Sequence, residues 1–262
     1  MTDWFKEAEL MDRPEILERL FFPRREEVPD THNAKNRFVQ VAESVAVSCR
    51  FFHARNDGPN ILFFHGNGET AADYDYVAPF YQERGLNLFV ADYRGYGMSD
   101  GSPTCSAILR DAHPVFEDFA SFIRNLNCSG PLYVMGRSLG SAPAIEVAWH
   151  YQEQLRGLIV ESGLAGARSQ FARIGVTHLF KDIEKPVGFG NDLKIQSIHI
   201  PTLIIHGEED AIIPIAEGKS LYSLSPARKK TALFVPHAGH NDLLDRALKD
   251  YMEAIVRFTS GL

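Results

Sequence analysis

Ser138 stands between two glycines in Gly136-Arg137-Ser138-Leu139-Gly140, and the apolar run Leu132-Tyr133-Val134-Met135 leads straight into it. A serine hydroxyl is a poor nucleophile until a base takes its proton. A histidine base works best when an acid fixes its tautomer and stabilises the imidazolium that forms. Both residue types recur downstream, each just past a short apolar run. Residues 202–205 are followed by His206-Gly207-Glu208-Glu209-Asp210, and residues 232–235 by Pro236-His237-Ala238-Gly239-His240. The chemistry these residues would support is acyl transfer through a covalent serine intermediate. Glu208, Glu209 and Asp210 compete for the acid, and His237 and His240 for the base. Two histidines without a nearby third ligand are weak support for a metal, so no metal and no cofactor is expected.

Such a serine needs a particular support. At a tight step from strand to helix its backbone is strained, and glycine on either side relieves the crowding. The hydroxyl is then presented above the sheet, and the N–H groups opening the next helix converge on the same point. The sequence around it supplies the parts. Residues 61–64, 86–91, 132–135, 158–160, 202–205 and 232–235 are short continuous apolar runs, each expected to be buried on both faces as a central parallel strand. Residues 37–54 alternate and predict an antiparallel hairpin at the sheet edge. Between the runs lie helical stripes, such as Val115, Phe116, Phe119, Phe122, Ile123 and Leu126, then residues 142–149 and 245–258. The fold class is therefore α/β, a doubly wound, mostly parallel sheet with its site at the carboxyl ends of the strands.

Two stretches stand outside that rhythm. Residues 1–36 form an N-terminal helical extension ahead of a domain at 37–262. In residues 1–22 apolar and charged positions mix as in short helices packed on a domain, with a membrane-surface or dimer contact as the sharper alternative. That alternative is weakened because the polar face is acidic. Residues 163–200 exceed one crossover helix and predict a short helical cap over the site. Phe171 and Phe180 either line an apolar acyl pocket there or form the cap's own small core.

The balance of 27 basic against 34 acidic residues gives a net charge of −7, which argues against a nucleic-acid surface. No window approaches 18 consecutive apolar residues, so no membrane span is expected, and no secretory pattern opens the chain. Three cysteines without paired spacing fit a reducing compartment, and a cytoplasmic location is expected. The expected partner is a small-molecule acyl substrate, and oligomeric state is left open.

From about Phe38 to Phe258 the chain resembles the α/β-hydrolase superfamily, with the chain order Ser, then acid, then His. The resemblance rests on His65-Gly66-Asn67-Gly68-Glu69, Asp92-Tyr93-Arg94-Gly95-Tyr96-Gly97-Met98-Ser99, the serine pentapeptide, the His206–Asp210 segment and Gly239-His240. Within it, the chain looks like the serine-aminopeptidase-like branch, which includes depalmitoylating acyl-protein hydrolases. The resemblance implies Ser138 as nucleophile, Asp210 as acid and His240 as base. It also implies that the backbone N–H of Asn67 joins that of Leu139 in an oxyanion hole. His65 and Glu69 are read as loop braces, and Asp92, Arg94, Tyr96 and Ser99 as supports of the Gly95–Gly97 turn. Arg137 is read as pointing away into local hydrogen bonds. A carboxylic-ester or thioester hydrolase is the leading function. A serine aminopeptidase needs an acid to hold the substrate amine, which the sequence does not place. A catalytically silent scaffold is disfavoured by the intact set of three residues.

Overall fold

The structure, a computed structural model, describes residues 3–166, 172–180 and 188–261. Alternation inside the buried strands decides its layering. In β3 (Asn60–Phe64), Ile61 and Phe63 join one apolar cluster while Leu62 and Phe64 join another on the opposite face. A strand apolar on both faces must be covered on both faces. The sheet contains β1 (Lys35–Ala42), β2 (Val45–Phe52), β3, β4 (Asn87–Ala91), β5 (Leu132–Arg137), β6 (Gly157–Glu161), β7 (Thr202–Gly207) and β8 (Lys230–Val235). Their order is β1-β2-β4-β3-β5-β6-β7-β8. The β1–β2 and β2–β4 pairs are antiparallel, and every later pair is parallel. The edge hairpin and the doubly wound parallel sheet are both as expected.

β3 is where the winding reverses, with β4 on one side and β5 on the other. The carboxyl ends of β3 and β5 thus flank the switch in strand order, the usual place for a site in such a sheet. The expected burial on both faces holds for β3, β4, β6 and β7 and fails for β8, where of six residues only Val235 is buried. An apolar run reports hydrophobicity and not sheet order. As the terminal strand, β8 is paired on one side only.

One face is covered by α4 (Cys105–Asn125) and α5 (Ser141–Tyr151), the other by α3 (Ala78–Gln82) and α8 (Leu243–Thr259). α4 begins well before the predicted stripe. Thr104 caps it by accepting from the Ala107 N–H at 3.1 Å, and the helix runs through Pro114. Proline deletes one helical hydrogen bond. Buried Ile108, Leu109 and Ala112 before it and Val115 and Phe116 after it hold both halves to the core.

Ahead of the sheet lie α1 (Trp4–Glu9) and α2 (Pro14–Leu20). Trp4, Ala8, Met11, Ile16, Leu20 and Phe21 are buried in the cluster that also holds α4 and α5, so this apolar face is covered by the protein's own core. In the region after β6, Val176 and Phe189 join that same cluster. α6 (Asn191–Lys194) follows Gly190, whose φ of +69° is readily adopted by glycine. A Cβ there would stand 2.3 Å from the Trp4 ring. Lys194 is fully buried, with its ammonium 5.4 Å from the centre of the Trp4 ring and 2.5 Å from Glu146 Oε2 on α5. Glu146 Oε1 in turn lies 3.2 Å from His113 Nε2 on α4. Phe171 lies outside the described residues, as does the side chain of Phe180. α7 (Ile215–Leu224) follows β7. Among the described residues, no helix is long and apolar enough to cross a membrane.

Candidate active site

β5 ends at Arg137, a single 3-10 turn spans Ser138–Gly140, and α5 starts at Ser141. Ser138 has φ of +54°, a conformation that costs a non-glycine residue about 1–3 kcal/mol and persists only where the surroundings enforce it. The flanking glycines show what enforces it. A Cβ on Gly136 would lie 2.1 Å from the Gly140 carbonyl oxygen, and one on Gly140 would lie 2.0 Å from the carbonyl oxygen of Phe64. The elbow is thus wedged between its own helix and the end of β3.

Above it, His240 Nε2 lies 2.9 Å from Ser138 Oγ, and His240 Nδ1 lies 2.7 Å from Asp210 Oδ2. Asp210 is fixed through its other oxygen, which accepts from the N–H groups of Ile212 at 2.8 Å and Ile213 at 2.7 Å. Behind it, buried His206 Nε2 sits 2.8 Å from the Ile213 carbonyl oxygen and 3.4 Å from Asp210 Oδ2. Burial opposes ionisation of Asp210. The hydrogen bonds from His206 and His240, the charge of His240 and the Ile213 N–H outweigh it and hold the carboxyl well below the usual range. An ionised Asp210 accepts from His240 Nδ1–H, and whenever the ring carries that one hydrogen alone its Nε2 lone pair faces the serine hydroxyl. The rivals face outward. Glu208 and Glu209 are exposed, and His237, with its side chain 81% exposed, bonds Glu209 at 2.9 Å.

The loop after β3 abuts the elbow. His65 is fully buried, with Nε2 3.1 Å from Asp92 Oδ1 and Nδ1 2.7 Å from the Gly66 carbonyl oxygen. Glu69 accepts from the Gly66 N–H at 2.8 Å and from the Tyr74 hydroxyl at 3.0 Å. Leu139 is buried within the elbow turn, and Asn67 is half-buried in the loop.

Arg137 departs from the local role read for it. Its guanidinium binds Glu69 in the β3 loop and Glu161 at the end of β6, the latter at 3.0 Å. It also donates at 2.8 Å to the carbonyl oxygen of His240. Burial opposes its charge, and Glu69 and Glu161 more than compensate, so its pKa is raised. Glu161 is held from its other side by the Tyr251 hydroxyl at 2.7 Å. One side chain inside the elbow therefore ties together three loops of the site. The serine pentapeptide contains Arg137 but does not show its reach, because every partner comes from another strand end.

Residues 35–185 match the profile of the family described as "Serine aminopeptidase, S33". Alpha/beta hydrolase domain-containing protein 17B of Homo sapiens is 32% identical over 222 residues, which cover 82% of this chain and 71% of that protein. The chain belongs to this serine aminopeptidase family of α/β hydrolases. Domain-containing protein 17C of Mus musculus is 29% identical over 231 residues, 85% of this chain and 67% of its own, and the match spans 65% of the human 17C. An esterase from Pyrococcus furiosus has the same fold, with a TM-score of 0.70 at 16% identity over 91% of this chain and 98% of its own. Membership gives the Ser138, Asp210 and His240 cluster a family of serine hydrolases as its context.

Proposed function

We propose that this chain hydrolyses carboxylic esters or thioesters of small-molecule acyl substrates through an acyl-enzyme on Ser138. The observation that carries the reading is the hydrogen-bonded run from Ser138 Oγ through His240 to Asp210 at a strained elbow. His240 Nε2 takes the hydroxyl proton as Oγ attacks the acyl carbon. The proton then passes to the departing alcohol or thiol, and a water deprotonated by the same nitrogen releases the acid. Asp210 stays ionised throughout and stabilises the imidazolium. Negative charge develops on the carbonyl oxygen, where the backbone N–H groups of Leu139 and Asn67 would each supply roughly 3 kcal/mol of barrier lowering. A fluorophosphonate should label Ser138, and Ser138→Ala should abolish turnover of p-nitrophenyl esters. Full activity in that variant would end this reading.

A serine aminopeptidase is the second reading, favoured by the description of the family. It needs a carboxylate to hold the substrate ammonium. Glu69 and Glu161, acids beside the elbow, share the single charge of Arg137 and are also engaged by the hydroxyls of Tyr74 and Tyr251, and these existing contacts favour esters. Graded p-nitrophenyl esters assayed beside aminoacyl-p-nitroanilides separate the two. The domain at 37–262 with its cap at 163–200 would set the acyl group, and truncating Phe171 and Phe180 to Ala should change chain-length preference. Three free, buried cysteines suit action in the reducing cytoplasm.

A further inference from the structure

Beyond α2 the chain crosses the two loops that follow β3 and β4, and it engages the first of them through Asn67. Asn67 Nδ2 donates to the carbonyl oxygen of Leu20 at 2.5 Å, and Asn67 Oδ1 accepts from the Phe22 N–H at 3.1 Å and the Tyr96 hydroxyl at 2.7 Å. The Phe22 N–H also lies 3.1 Å from the Tyr96 hydroxyl oxygen. This small network is anchored at each end. Leu20, Phe21 and Tyr96 are buried. Arg24 donates to Asp73 at 2.6 Å and to Thr70 at 3.0 Å, and its carbonyl oxygen accepts from the Gly97 N–H at 2.8 Å. Arg25 donates to the Ser99 carbonyl oxygen at 2.5 Å.

We propose that residues 20–22 and Tyr96 are positioning residues for the oxyanion hole, a clamp on the Asn67 side chain that aims the Asn67 backbone N–H. The inference rests on reading that N–H as the second oxyanion donor. The physical need is plain. Asn67 lies between Gly66 and Gly68, the latter at φ of +80°, and a loop of this composition has wide backbone freedom. A donor stabilises a developing oxyanion only if its direction is set before the reaction. Glu69 holds the Gly66 N–H on one side of Asn67. The amide side chain, with a donor and an acceptor both engaged, holds Asn67 itself, and an N-terminal strap brings the partners.

The test uses the full chain and three measurements: p-nitrophenyl butyrate kinetics, fluorophosphonate labelling, and inhibition by a trifluoromethyl ketone, which forms a tetrahedral oxyanion adduct on serine. Asn67→Ala keeps the backbone N–H and deletes the clamp. Tyr96→Phe is the milder variant, which keeps the ring in its buried seat. Losing an oxyanion donor outright lowers kcat about 100- to 1000-fold, so a misaimed one should lower it about 10- to 100-fold in Asn67→Ala and several-fold in Tyr96→Phe. KM should stay within about twofold, and ketone affinity should fall in step with kcat, because the interaction is made only with the oxyanion. A lower Tm with kcat and ketone affinity at the wild-type level would overturn the clamp and leave only a structural strap. A fall in kcat without a fall in ketone affinity would overturn it too. If wild-type protein reacts with neither reagent, the serine mechanism fails first; if it reacts and both variants match it, the clamp alone fails.

Discussion

Arg137 donates to the main-chain oxygen of His240 at 2.8 Å, so the residue preceding Ser138 holds the segment that brings the histidine to it. Because the same guanidinium binds Glu69 and Glu161, the elbow, the β3 loop and the histidine loop are fixed relative to one another by a planar fork that lysine lacks.

Arg137→Ala leaves the buried Glu161 with the Tyr251 hydroxyl but no counter-charge, and breaking a buried pair from one side costs about 3–5 kcal/mol. Arg137→Lys retains the charge, but its donors radiate from one nitrogen and cannot span Glu69, Glu161, the His240 carbonyl and Asn241 as the fork does. We expect the lysine variant to fold, with kcat reduced about tenfold and KM little changed. Urea midpoints and steady-state kinetics of the pair check this. Equal kcat in Arg137→Lys and wild type would refute a positioning role.

Asp210→Asn should leave the fold intact, because the amide oxygen can still accept from Ile212 and Ile213. Its NH2 group would then face His240 Nδ1 and force the proton onto Nε2, the wrong tautomer for accepting from Ser138. A kcat loss of about 10^4-fold with an unchanged thermal transition is the expected result. Activity and calorimetry on one preparation decide it.

Gly140→Ala places a methyl group 2.0 Å from a backbone oxygen of β3, where no flexible side chain can give way. The strand and the elbow must separate, at a cost we put above about 3 kcal/mol. Loss of soluble protein, or a strongly lowered urea midpoint, is the expected outcome; a neutral substitution would contradict the close contact.

His65 gives the stability a pH dependence. Burial disfavours its charged form, but the hydrogen bond and charge of Asp92 and the Gly66 carbonyl prevail and raise its pKa in the folded protein. Both ring nitrogens face acceptors, which suits the imidazolium. The unfolded value is about 6.5. The stabilisation is therefore fully present below that pH and is lost as pH rises through the higher folded value. Urea unfolding from pH 6 to pH 9 should show this decline, and His65→Gln should flatten it.

The strand-end positions of Ser138, Asp210 and His240 were legible because each closes a short apolar run, and parallel strands deliver such ends to one rim of the sheet. Less was legible where partners come from afar. Nothing near Arg137 announces Glu69, Glu161 and the His240 carbonyl, and nothing near Asn67 announces Leu20 and Phe22. Those contacts exist only after the sheet has assembled. The misjudged burial of β8 has the same origin, since composition does not encode which strand is terminal. The half of α4 ahead of the stripe was not read from the sequence at all: Pro114 interrupts the helix locally, and the apolar residues on both sides that carry it through act by packing.

The buried Lys194 has a consequence for how the molecule opens. Its ammonium is roofed by Trp4 of α1 and paired with Glu146 of α5, which also faces His113 of α4. A six-residue helix in isolation is unstable in water, and here its release would also uncover an ion pair built to stay dry. Fraying of α1 is thereby tied to disruption of α5 and α6, and these segments form one cooperative unit. In native-state hydrogen exchange the first helix would share its protection with the helix behind the nucleophile rather than with a loose chain end.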